Sequence, residues 1–123
     1  MNSNKIYDLE ERTYVFTKNV IQFINKLERN LSNIEISKQL IRSAGSVGAN
    51  YIEANESLGK KDFAMRIKIS KKEAKETRYW LKLLICNQEL ENERVSLINE
   101  VTELMKIFGA IHEKTKQKKE TKS

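Results

Sequence analysis

The sequence predicts an all-α fold, an up-down-up-down antiparallel four-helix bundle, and three observations carry that prediction. None of the 123 residues is proline, so nothing removes a donor from a helix interior. Apolar residues recur at steps of three and four without strand-like alternation. The breaks between these periodic stretches are only a few residues long, which makes consecutive helices antiparallel neighbours.

The first helix is predicted over 8–29. Asp8 followed by Glu11 is a capping-box-like start, and Leu9, Phe16, Val20, Phe23 and Leu27 form its apolar stripe. The second is predicted over 33–57, with Ser32 and Glu35 repeating the capping box and Ile36, Leu40, Ala44, Val47, Tyr51, Ala54 and Leu58 running to a stop at Gly59. Within it lies SAGSVGAN, residues 43–50, whose two glycines each cost a helix interior about 1 kcal/mol relative to Ala, so a loop is the alternative there. The stripe passes through the glycines without a slip in phase, which favours the helix, and small residues then admit close approach of another backbone. The third helix is predicted over 61–87, with Asp62 near the positive end and Phe63, Ile67, Ala74, Leu81 and Leu84 along its core side. The fourth is predicted over 93–113, capped by Asn92 and lined by Val95, Ile98, Val101, Met105 and Phe108. Residues 114–123 offer no apolar side chain to bury and read as a disordered basic tail after a single bundle domain, 1–113.

The lone Cys86 cannot make an internal bridge, which excludes a disulfide scaffold and fits a reducing compartment. No apolar run approaches the roughly 20 residues of a membrane span, and the polar start MNSNKIYDLEE lacks the apolar stretch of a signal peptide. A soluble, cytoplasmic protein with no membrane partner is expected. Its formal charge of +6 is unevenly laid out. Residues 1–59 are neutral, 60–85 carry a net +6, 86–113 a net −4 and 114–123 a net +4. Positive charge is therefore concentrated where a polyanion would meet it.

At 100° per residue, Lys60, Lys61, Lys68, Lys71, Lys72, Lys75, Arg78 and Lys82 fall within an arc of about 120° on the third helix. Only Arg66 lies elsewhere. The core stripe sits beside this arc, and a third arc carries Met65, Ile69, Trp80 and Leu83 with Asp62, Glu73 and Glu76. A second apolar stripe on one helix suggests a second burial, most simply against another subunit, although Trp80 could instead widen the core. On the second helix Arg42, Ser46, Asn50 and Glu53 form a polar line flanked by Gly45 and Ala49. Such a line suits a close, hydrogen-bonded helix contact, with Glu73 or Glu76 as partners of Arg42. A solvated polar face is the plainer alternative. Together Arg42, Ser46, Asn50, Glu53, Ile69, Glu73, Glu76 and Trp80 are the candidate oligomer interface.

Catalytic signatures are absent. A di-iron bundle needs Glu-x-x-His pairs, and the single histidine, His112, has Gly109 three residues before it. Glu53-x-x-Glu56, Glu73-x-x-Glu76 and Glu100-x-x-Glu103 are spacings that any Glu-rich helical chain produces by chance, so no metal is assigned. No nucleotide-binding glycine pattern occurs, and nothing orients Cys86 with His112 as a nucleophile pair. Cys86 reads as a buried small hydrophobe and His112 as a surface residue. No catalytic residue, metal or cofactor is expected.

The runs IRSAGSVGANYIEA (41–54), KKDF (60–63) and EAKETRYWLKLL (73–84) are, in order and spacing, those of a known family. The chain resembles the four-helix-bundle proteins encoded in intervening sequences of bacterial 23S rRNA genes, the likeness resting on Arg42, Ser46, Ala49, Asn50, Glu53, Lys61, Asp62, Phe63, Ala74, Glu76 and Trp80. The resemblance implies a four-helix bundle assembled as a homopentamer with no enzymatic activity. It also implies kinship with the accessory protein of diversity-generating retroelements, a basic barrel that binds nucleic acid and a reverse transcriptase.

Two functions of different classes are then open. One is a non-enzymatic, oligomeric nucleic-acid-binding protein whose third-helix arc contacts RNA or DNA backbones. Tyr79 alone borders that arc, so backbone contact is expected and base stacking is not. The other is a protein-interaction scaffold, its lysines serving solubility and screened by the acidic fourth helix.

Overall fold

The computed structural model describes the backbone of residues 8–122 and the side chains of residues 8–116. Four helices follow one another: α1 (Leu9–Ile24), α2 (Leu31–Asn55), α3 (Lys60–Leu83) and α4 (Gln88–Lys122). α2 packs on α1 and α3, and α4 on α3 and α1, while among the described residues neither diagonal pair brings its backbones close. This is an antiparallel four-helix bundle. The α2–α3 and α3–α4 seams are extensive, and the α1–α4 seam that closes the ring is the slightest.

The core forms where the stripes converge. Phe16, Val20 and Phe23 of α1 meet Leu40, Ala44 and Val47 of α2, Ile67, Ala74 and Leu81 of α3, and Val101, Leu104 and Phe108 of α4, all but excluded from solvent. Tyr51 packs its ring 5.8 Å from that of Phe108. Between α2 and α3 the core is polar but satisfied. The Thr77 hydroxyl lies 2.8 Å from both the Glu73 carbonyl and the Ser43 hydroxyl, and Ser70 donates to the Val47 carbonyl at 3.0 Å. Hydroxyls of this kind, each with a defined partner, fix helix register more sharply than methyl groups do.

The run 43–50 is helical, as its phase predicts, and its two glycines differ. A Cβ at Gly48 would stand 2.8 Å from Thr13 Oγ1, whereas one at Gly45 would meet nothing within 4 Å. Gly48 is what lets α1 lie close enough for Thr17 to donate to the Ala44 carbonyl at 3.1 Å.

Helix ends depart from the expected bounds, each for a local reason. α1 begins as expected, with Asp8 Oδ1 accepting from the Glu11 amide at 3.2 Å, but stops at Ile24 rather than 29. There Lys26 and Leu27 donate three residues back, to Phe23 and Ile24, and the tightened turn tucks Leu27 under the core. α2 is capped by Asn30, whose side chain accepts from the Asn33 amide at 2.8 Å, and Ser32 serves that cap by donating to Asn30 Oδ1. Gly59 does not end α2; it opens α3 in extended conformation. α3 ends at Leu83, four residues short of 87, where Leu84 turns to extended backbone and Arg94 Nη1 caps the end by donating to the carbonyls of Leu81 at 3.2 Å, Lys82 at 3.5 Å and Leu84. The turn that follows is held by Asn33, whose amide donates to the carbonyls of Glu28 (3.0 Å) and Ile85 (2.9 Å) and accepts from the Ile85 amide (2.9 Å). α4 starts at Gln88, where Asn87, not Asn92, caps the Leu90 amide at 3.2 Å. It continues to Lys122, so residues 114–122 are helical where composition pointed to a disordered tail. Lys, Glu and Gln are good helix formers and need no core when a helix is already nucleated.

Candidate nucleic-acid interface

α3 turns Ile67, Ser70, Ala74, Thr77 and Leu81 into the bundle, so the lysines 100° and more away from that line are forced outward. Lys60, Lys61, Lys68, Lys72, Lys75 and Lys82 are exposed. Lys71 is exposed too but leans toward α4, its Cε 3.5 Å from where a Cβ of Gly109 would stand. Arg78 is half-buried and donates to Thr102 of α4 at 3.4 Å. The arc is therefore one surface that splits into an outward row and a row against the α3–α4 seam.

Five acidic side chains of α4 pair elsewhere. Glu100 pairs with Arg12 of α1 and Glu93 with Lys26 in the turn after α1, while Glu91, Glu103 and Glu113 pair within α4 with Arg94, Lys106 and Lys116. Among the described residues no carboxylate lies within ion-pair distance of Lys61, Lys68, Lys71, Lys72, Lys75 or Lys82. Bidentate pairing with Glu100, whose oxygens lie 2.7 and 2.9 Å from Arg12, holds that guanidinium above its ordinary value.

His112 is not the plain surface residue the sequence suggested. It is half-buried beside the basic face, and burial, then Lys116, Lys68 and Lys71, push its ring below the ordinary imidazole value, with Glu113 opposing. Sequence reasoning missed it because the histidine joins the lysines only through the α3–α4 register. Cys86 is likewise half-buried rather than buried, its thiol raised mainly by desolvation.

The second-helix line is engaged within its own chain. Arg42 reaches Glu73 at 3.4 and 3.5 Å and also contacts Glu76, which accepts from Trp80 Nε1 at 3.4 Å. The Glu73 hydrogen bonds are the main reason the Arg42 guanidinium is raised. Asn50 donates to the Ser46 carbonyl and hydroxyl, both at 2.9 Å, and accepts from Arg66 at 3.1 Å. Glu53 is exposed, Ile69 and Trp80 are half-buried, and Met65, Tyr79 and Leu83 beside them are exposed. These residues thus share the outer edge of the α2–α3 seam.

An open cleft of about 910 Å³ lies at one end of the bundle, floored by Ala54, Phe63, Ala64 and Ile111 and edged by Lys61 and Lys114. Among the described residues there is no group of three or more His, Cys, Asp or Glu side chains placed to hold a metal ion. Among the described residues no helix is long and apolar enough to cross a membrane.

Residues 5–110 match the family model described as 23S rRNA-intervening sequence protein. Among solved structures, the chain is similar to a protein of unknown function from the S23 ribosomal protein family of Bacteroides thetaiotaomicron. The two are 32% identical with a TM-score of 0.70, over 84% of this chain and 96% of that one. No curated protein matches.

Proposed function

The chain belongs to the 23S rRNA-intervening sequence protein family, and from that footing we propose that it is a non-enzymatic, homopentameric protein that binds RNA or DNA backbones through the basic face of α3. One observation carries the reading: among the described residues six exposed α3 lysines have no carboxylate within ion-pair distance, while five acids of α4 pair with α1, with the turn after it or within α4 itself. Unscreened lysines on a rigid helix displace condensed counterions from a phosphate backbone, which gives affinity without sequence choice. Repetition of the face around a ring would multiply the contacts. The oligomer interface is assigned to the outer edge of the α2–α3 seam, from Arg42 to Glu53 and from Ile69 to Trp80. Its exposed neighbours Met65, Tyr79 and Leu83 favour burial by another chain.

Those same apolar residues support a second reading, a protein-interaction scaffold without a nucleic-acid role. Replacing Lys68, Lys72 and Lys75 together by Gln separates the two. Backbone binding predicts that affinity for RNA and DNA falls together, and that the slope of log K against log salt becomes shallower by up to about 0.9 per lost duplex contact or about 0.7 per lost single-strand contact. Unchanged binding by the triple variant, with loss on deletion of residues 114–123, would favour the scaffold. Light scattering of the parent chain reads the assembly directly, and a monomer at micromolar concentration would remove the ring.

A further inference from the structure

Gly109, His112 and Lys116 follow one another at steps of three and four, so they share one face of α4. That face is turned toward α3. The Lys71 stem crosses at Gly109, where a Cβ would come within 3.5 Å of Cε and 3.6 Å of Nζ, and Lys68 stands one turn before Lys71. The charges that bear on His112 are Lys68 and Lys71 from α3 and Lys116 and Glu113 from its own helix. Glu113 is itself 3.7 Å from Lys116. One half-buried imidazole thus faces three ammonium groups and a single carboxylate that is already shared.

We propose that Lys68, Lys71, His112 and Lys116 form a phosphodiester seat across the α3–α4 seam, and that His112 takes up a proton from solvent when a backbone phosphate enters it. The proposal rests on the nucleic-acid reading above and adds two α4 residues to it. In the free protein partial burial and the surrounding lysines disfavour the charged ring. A phosphate oxygen changes both conditions: its negative charge offsets the lysines, and it gives the imidazolium N–H an acceptor, so the charged ring becomes the favoured form. No bond in the nucleic acid is made or broken. A polyanion fits better than an isolated anion, because Lys61, Lys72 and Lys75 continue the same basic surface on either side of the seat.

Linkage fixes the sign. If binding takes up a proton, affinity rises as pH falls, by at most about tenfold per pH unit between the free and bound midpoints of His112, and is flat outside that window.

The chain has one histidine, so its ring proton resonance titrates without overlap. The midpoint is measured on the full chain alone, with a saturating mixed-sequence single-stranded RNA, with inorganic phosphate and with a glutamate polymer. The expected result is an upward shift on RNA of about one pH unit, with affinity at fixed ionic strength weakening as pH rises through the interval between the two midpoints for the parent but not for His112→Gln. Lys71→Gln should raise the midpoint of the free protein, because it removes one of the repelling charges. An unmoved midpoint on RNA that binds overturns the seat while leaving the nucleic-acid reading intact. A shift with phosphate or the glutamate polymer but not with RNA overturns the phosphodiester assignment. Failure of both RNA and DNA of the same sequence to bind at low salt at every pH removes the nucleic-acid reading, and the seat with it.

Discussion

Asn33 joins the α1–α2 turn to the α3–α4 turn, and removing its side chain tests whether one amide holds that end of the bundle. The residue is 2% exposed. Its carboxamide makes three hydrogen bonds with main-chain groups, to the Glu28 and Ile85 carbonyls at 3.0 and 2.9 Å and from the Ile85 amide at 2.9 Å. A typical internal hydrogen bond contributes about 1 kcal/mol net, and a buried group left unsatisfied costs about 1 to 3 kcal/mol. Water can reach part of these turns, since Glu28 and Ile85 are exposed, so Asn33→Ala should lose about 3 to 4 kcal/mol in a urea melt. Asn33→Asp is the sharper probe. It keeps the acceptor for the Ile85 amide but sets a carboxylate oxygen against two carbonyl oxygens, which favours the protonated acid and raises its pKa above the unfolded value. Such a raised carboxyl makes the variant recover stability as pH falls from neutrality through the folded-state midpoint, reaching its full benefit below the unfolded one. A loss under about 1 kcal/mol for the Ala variant, or an Asp variant as stable as the parent at pH 7, refutes the bridge.

Four further outcomes follow from the same geometry. Arg94→Ala removes the donor that ends α3 at Leu81, Lys82 and Leu84 and should cost about 2 to 3 kcal/mol in denaturant melts, with Arg94→Lys restoring little because one ammonium cannot reproduce the fork. The same substitution at two glycines should have opposite signs: Gly45→Ala meets nothing within 4 Å and gains about 0.5 to 1 kcal/mol, while Gly48→Ala drives a Cβ into Thr13 and loses about 1 to 2 kcal/mol. If Gly45→Ala stabilises the fold but dissociates the oligomer in light scattering, a neighbouring chain packs at that glycine. Arg42 is 48% exposed at its side chain while Glu73 is only 11% exposed, so Arg42→Ala should cost about 1 to 2 kcal/mol, between the values for a surface pair and a buried one. The ring of His112 sits below its unfolded value, so its contribution to stability is complete above about pH 6.5 and is lost as pH falls through the folded midpoint; His112→Gln should flatten that part of the stability profile.

What the sequence revealed and what it concealed divide along one line. Periodicity exposed the helices, and the unbroken phase of Leu40, Ala44 and Val47 carried α2 through Gly45 and Gly48, because a buried stripe is a property of one helix and its own residues. Caps were harder. Ser32 and Asn92 have the right chemistry, but Asn30 and Asn87 do the capping, and the choice depends on where the turn places the first free amides. The anchors Asn33 and Arg94 were invisible, since their partners are main-chain groups that exist as a site only after the turns have formed. The basic arc was legible from 100° per residue alone. Its relation to His112 was not, because that requires knowing that Lys71 crosses α4 at Gly109.

The acidic fourth helix shows why charge totals mislead about a surface. Residues 86–113 carry a net −4 beside a third helix of net +6, and on those sums alone the two would neutralise each other across their seam. The register prevents it. α4 directs Glu100 to Arg12 of α1 and Glu93 to Lys26 in the turn that follows α1, and folds Glu91, Glu103 and Glu113 onto basic residues of its own helix. Toward the basic rows of α3 it turns, among other groups, Thr102, Gly109 and His112, a hydroxyl, a gap and a ring that can gain a proton. Each leaves the positive field of α3 in place, and the last can add to it, which is the arrangement expected of a face kept open for an anionic partner rather than one closed by its own acids.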